Sequence, residues 1–86
     1  EDMLKYFCSA TWPEGHEREF DREGDYDVIS TRKTDIRKFA KQALKDGAIE
    51  VNVYFESTGG DFRAAGYVTT FDQDNPKGID VRGRNF

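Results

Sequence analysis

The chain has little of what catalysis, secretion or membrane insertion requires. There is one cysteine, Cys8, in 86 residues. It excludes an internal disulfide and points to a reducing compartment, so the expected location is cytoplasmic. There is one histidine, His16, and no nucleophile motif joins it to the thiol. No apolar run approaches the roughly 20 residues that span a bilayer. The opening residues do not read as a signal peptide, and Met3 is the expected native start. Internal repeats, low-complexity tracts and linkers are absent, so residues 1–86 read as a single domain.

Hydrophobic residues make up only 36% of the sequence, but one Trp, four Tyr and seven Phe are among them. Aromatic side chains bury much area each, so a small core remains possible. The net charge is −4, which excludes a general attraction to nucleic acid or to anionic membranes.

The most unusual stretch is acidic at every second position: Glu17, Glu19, Asp21, Glu23, Asp25 and Asp27. A period of two is that of a β-strand, whose alternate side chains leave on opposite faces. An extended chain would set the carboxylates in one row, about 6.7 Å apart. That is a sparser version of the phosphate line of nucleic acid, with its axial rise of about 3.4 Å per strand. The bland reading is an exposed strand face kept soluble by charge.

From Met3 to Trp12 the even positions Leu4, Tyr6, Cys8, Ala10 and Trp12 suit a core, and the odd positions suit solvent, with Phe7 the exception. Pro13-Glu14-Gly15 then fits a three-residue hairpin loop with Gly at its end. Pairing Trp12 with His16 predicts a hairpin over about Met3–Glu23. It directs Phe20 inward and the acids outward, with Arg18 and Arg22 snorkelling at the margin. Tyr26, Val28 and Ile29 suit a second short piece of strand.

Ile36, Phe39, Ala40, Ala43 and Leu44 form one helical apolar stripe. Thr34 is the expected N-cap and Gly47 the expected C-terminal cap. Ile49, Val51, Val53 and Phe55 alternate as a half-buried strand. Thr58-Gly59-Gly60-Asp61 reads as a tight turn, with Gly59-Gly60 as the loop. The returning strand, Phe62 to Phe71, leaves Tyr54 and Tyr67 on the outer face. A one-residue slip would bury Tyr67 and Phe71 instead. Ile79 and Val81 suit a short last strand. The expected fold is α+β: a two-layer sandwich of four to five antiparallel strands with one helix across one face, in the order β-β-α-β-β.

Enzymatic chemistry is not expected. Cys8 falls on a core face, His16 beside a turn, and exposed carboxylates two apart lack the differing environments that acid–base work requires. The stretch Asp21–Asp27 is rich in oxygen donors, but Gly24 comes too early for a calcium-binding EF-hand and Arg32 stands where its Glu is needed. No metal or cofactor is expected. Arg32–Lys45 holds six bases and one acid, and with Arg82 and Arg84 it is the one candidate for direct nucleic-acid contact.

The leading expectation is a binding protein, an inhibitor or regulator, that docks the acidic row and the neighbouring Tyr54 and Tyr67 on a basic surface of a partner protein. Occluding or mimicking a nucleic-acid ligand on that surface is the most specific form of this expectation. In size, charge and want of catalytic residues the chain looks like the compact acidic inhibitors that phages and mobile elements direct against host nucleic-acid-handling or defence enzymes. That likeness is one of kind and carries no residue across.

Overall fold

A computed structural model describes residues 3–19 and 26–86. They form β1 (Met3–Thr11), β2 (Val28–Ser30), α1 (Lys33–Lys45), β3 (Glu50–Gly59) and β4 (Phe62–Asp72). The four strands make one antiparallel sheet in the order β2-β1-β3-β4, with α1 packed on one face. The fold is α+β, in the order β-β-α-β-β.

The helix forms where the stripe predicts. Ile36, Ala40, Ala43 and Leu44 are buried against the sheet, and Phe39 packs half-buried at its side. Its start differs from expectation: the N-cap is Arg32, without a side-chain cap, and Thr34 lies inside the helix. Ser30 instead ties the cap residue Arg32 to Asp35 of the first turn. The Ser30 hydroxyl accepts from Arg32 N–H at 3.1 Å and donates to Asp35 Oδ2 at 2.6 Å. These bonds hold the Asp35 carboxyl below its usual range, Ser30 first and Arg32 after it. The helix ends at Gly47, whose φ of +107° a side chain would resist. Gly47 N–H donates to Leu44 O and Ala48 N–H to Ala43 O, the paired bonds of a Schellman stop.

On the helix side, Cys8 sits opposite Val53, and Val51 lies between Ala10 and Phe71. The largest fully buried side chains are Ile36, Val51, Val53 and Cys8, none of them aromatic. Burial pushes the Cys8 thiol up to about 12, against a weaker opposing bond from the Val28 backbone, so the thiol is neutral and unreactive.

Several expectations give way. β1 is a central strand, flanked by β2 and β3, and Cys8 sits opposite Val28, where the predicted hairpin put Phe20, a residue outside those described. Residues 28–30 occupy its other edge, and His16–Glu19 follow it as turns. Leu4 near the start of β1 and Ile49 just before β3, both expected inside, are exposed. The turn between β3 and β4 is Gly60-Asp61, closed by Gly59 opposite Phe62. Ile79 and Val81 are exposed in non-strand segments.

The register of β4 resolves an ambiguity by using both possibilities. Tyr67 pairs with Tyr54, but a bulge follows, so Thr69 pairs with Val53 and Phe71 with Val51. One extra residue flips the phase of the strand. Tyr67 therefore faces outward while Phe71 is buried. The segment after β4 seals this end of the core. Gly78 lies against the Phe71 ring at a φ of +64°, where an added Cβ would sit 2.6 Å from a ring carbon. Phe86 is buried edge-on to both Tyr6 and Phe71, and Arg37 Nη1 donates to its carbonyl at 2.9 Å.

Candidate binding surface

The face that α1 leaves uncovered carries a row of large side chains. The pairing places Ile29, Phe7, Tyr54 and Tyr67 side by side across all four strands. Tyr26 joins them, its ring 5.1 Å from Phe7 and 6.1 Å from Tyr54, and the Tyr54 and Tyr67 rings are 6.0 Å apart. These are the spacings of interacting aromatic pairs. Tyr67 is 56% exposed, Ile29 59% and Tyr26 47%. An open groove of about 470 Å³ runs between the rings, with Phe55, Glu56, Ala65 and Gly66 also in its wall.

Polar groups hold the row in place. The Tyr67 and Thr70 hydroxyls are hydrogen-bonded. Thr70 Oγ1 donates to Asn52 Oδ1 at 2.7 Å, and Asn52 Nδ2 donates to Glu50 Oε2 at 2.8 Å. On the other side of the row Glu56 pairs with Arg63 at 2.6 Å. A hydrogen-bonded chain of this kind restricts Tyr67 before any partner arrives, which lowers the ordering cost of binding.

The acids do not form one exposed ladder among the described residues. Glu17 and Glu19 lie in one turn, closed by the bond from Glu19 N–H to His16 O, and Glu19 Oε1 accepts from Gly15 N–H at 2.8 Å. The Asp27 side chain is only 7% exposed and lies 4.0 Å from Arg18 Nη2. Its Oδ2 accepts from Ala10 N–H at 2.8 Å, while its own N–H donates to Cys8 O at 2.8 Å. Asp27 thus extends the pairing of β2 along β1 with a carboxylate in place of a strand carbonyl. Phe20, Asp21, Arg22, Glu23, Gly24 and Asp25 lie outside the described residues.

His16, expected to be exposed, is half-buried and bridges the turn to the helix. It stacks on Trp12 at 4.7 Å, accepts from Arg18 N–H through Nδ1, and donates through Nε2 to Asp46 O at 3.0 Å. Arg18 lies over the other part of this cluster, 4.5 Å from the Trp12 ring centre. Both residues are occupied by packing.

The helix presents the opposite chemistry. Arg37, Lys38, Lys41 and Lys45 point to solvent. Among the described residues Lys38, Lys41 and Lys45 have no ion-pair partner. Arg82 and Arg84 are exposed, and their backbone N–H groups donate to Asp80 Oδ1. Those bonds, Arg84 first, hold the Asp80 carboxyl below its usual range. No group of three metal-ligating side chains occurs among the described residues, and no helix there is long and apolar enough to cross a membrane.

Tyr54 and Tyr67 are where the outer-face reading placed them. Phe7 and Tyr26 complete the row. The signal for Phe7 was its break in the alternation of β1, an aromatic where a solvent residue belonged. Compared with known proteins, the chain matches no family model, no curated protein and no solved structure at a significant level.

Proposed function

We propose that this protein is a non-enzymatic binding protein, an inhibitor or regulator, that docks the open face of its sheet on a partner protein. One observation carries the reading: Phe7, Tyr26, Tyr54 and Tyr67 form a row on the face the helix leaves uncovered. Rigid aromatics with polar tips supply large contact area at low entropic cost and dominate binding hot spots. The acids supply direction. Glu14–Asp27 holds seven acids and two arginines, and this charge leads into Tyr26 and the row. A basic surface on the partner would be steered toward it, and binding would weaken with salt. A protein that handles nucleic acid has such a surface, and docking there would occlude it. That is how phage-borne inhibitors of host defence enzymes, including anti-CRISPR proteins, are expected to work.

The test compares variants in capture from a host lysate at two salt concentrations, after circular dichroism has shown each to be folded. Tyr67→Ala with Tyr54→Ala should reduce capture of the partner at least tenfold. Glu17→Lys with Asp21→Lys should weaken it and flatten its salt dependence. Lys38→Glu with Lys41→Glu should leave it unchanged. Tyrosine variants that capture the partner like the wild type would end this reading.

A second reading rests on the α1 lysines that have no ion-pair partner among the described residues, which suit a phosphate backbone, and on the exposed Arg82 and Arg84. It ranks the variants in reverse: nucleic acid shifted at low salt by the wild type, and not by Lys38→Glu with Lys41→Glu.

A further inference from the structure

The two free edges of the sheet are treated differently. On one side β2 is three residues long, and Asp27 satisfies the next β1 position, Ala10 N–H, with its side chain. On the other side β4 runs for eleven residues. Its closing pair with β3 is Gly59 opposite Phe62 across a two-residue turn. In an antiparallel pair, residues alternate between bonding the neighbour strand and pointing their N–H and C=O away. Phe62, Ala64 and Gly66 therefore bond to β3, and Arg63, Ala65 and Tyr67 point outward. After the bulge the outward positions are Thr70 and Asp72.

The chain covers the second set. Asn75 Nδ2 donates to Thr70 O at 2.9 Å, and Asp72 and Asn75 exchange backbone bonds. The first set is bare. Among the described residues, the outward backbone groups of Arg63, Ala65 and Tyr67 have no partner. An uncovered edge of this kind is a template for another strand, and natural sheets normally blunt it with charge, proline or a bulge. Arg63 is the only charged residue from 62 to 68, and no proline stands there.

We propose that this edge pairs with a second copy of itself, β4 antiparallel to β4 about a two-fold axis at Ala65. The occupant follows from the register. With Ala65 opposite its own copy, Arg63 faces Tyr67 of the other chain on the outer face, a cation beside an exposed ring. On the helix side Phe62 faces Val68, and Ala64 faces Gly66. No like charges meet, small residues surround the axis, and Phe62 and Tyr67, 65% and 56% exposed, both gain cover. The two aromatic rows become one surface on an eight-stranded sheet. Five to seven residues a side fall short of the area of roughly 1,200 Å² or more that stable complexes bury, so the association is weak and concentration-dependent.

Sedimentation equilibrium from about 10 μM to 1 mM tests this, alongside amide exchange read by NMR at both ends of that range. The wild type should shift from monomer to dimer, and the amides of Arg63, Ala65 and Tyr67 should gain at least tenfold protection at the high concentration. Ala65→Pro removes an outward N–H and no bond to β3. Ala65→Asp sets like charges together at the axis and keeps the backbone donor. Both should remain monomeric. The proposal is overturned if the wild type is a monomer throughout, if it dimerises while these amides exchange freely, or if a folded Ala65 variant dimerises like the wild type.

Discussion

The two faces of the sheet are built from different residues. The most deeply buried side chains of the face under α1 are small or branched, Cys8, Val51 and Val53 from the strands and Ile36, Ala40 and Ala43 from the helix, with Trp12, Phe71 and Phe86 buried in the same core. The open face carries Phe7, Tyr26, Tyr54 and Tyr67. A low-hydrophobicity chain with many aromatics would be expected to spend them on its core. Here small residues let the helix lie close, and many of the rings remain where a partner could reach them. Stability and recognition are thereby separated onto opposite faces, and each can be perturbed alone.

The largest effect should come from the closed face. Ile36→Ala should lower the unfolding free energy in a urea melt by about 2–5 kcal/mol, since Ile36 is fully buried. A loss as small as that of an outer-face variant would break the comparison.

The closed face should also be sensitive to alkali. Below pH 9 the Cys8 thiol is protonated in both folded and unfolded chains. Between the ordinary value of 9.0 and the folded value of about 12 only the unfolded chain ionises. Stability contributed by the neutral thiol should therefore fall across that window as pH rises, by about 1.4 kcal/mol per unit at full slope. The difference between wild type and Cys8→Ala, melted at several alkaline pH values, isolates this slope. Parallel curves would mean that water reaches the thiol.

A smaller effect is expected in acid, at the helix start. The Asp35 carboxyl is held below its usual range by Ser30 and Arg32, so its contribution is present above the unfolded value and is lost as pH falls. Asp35→Asn should be less stable than the wild type at neutral pH, with the gap closing toward low pH. A gap independent of pH would show that the hydroxyl bond matters and the charge does not.

The smallest effect on stability belongs to the open face. Tyr67→Ala should cost less than about 1 kcal/mol, as exposed substitutions do. A larger loss would show that the row is cohesive in its own right and would blur the division between the faces.

Much of the closed face was legible in the residues. The helical stripe from Ile36 to Leu44, the stop at Gly47, the inward phase of Tyr6, Cys8 and Ala10, and the outward Tyr54 and Tyr67 all follow from local periodicity. The failures share a cause. The acidic alternation is one of charge, and charge fixes no face: at Glu17 and Glu19 a turn satisfies exposed carboxylates as well as a strand does. Which segment pairs with β1 was decided by a competitor, Val28–Ser30, reinforced by the Asp27 carboxylate. The flip at Val68 and the burial of Phe86 depend on contacts distant in sequence, which a local pattern cannot carry. Half of the candidate site was legible for the same reason: Tyr54 and Tyr67 belong to a clean hairpin, whereas Tyr26 reaches the row only because β2 docks on β1.

The position of β1 sets an order of assembly. It is the first strand among the described residues and lies in the middle of the sheet, with Met3 paired to Thr58 and Thr11 to Glu50. Every one of those pairs closes a long loop, while the β3–β4 hairpin closes a two-residue one. Loop-closure entropy delays the long-range pairs, so the hairpin and helix come first and β1 is inserted last. During synthesis β1 can meet β2 as soon as Val28–Ser30 have emerged, but its longer pairing must wait for β3. Its alternating pattern, with Lys5, Ser9 and Thr11 between the apolar residues, keeps that waiting strand soluble.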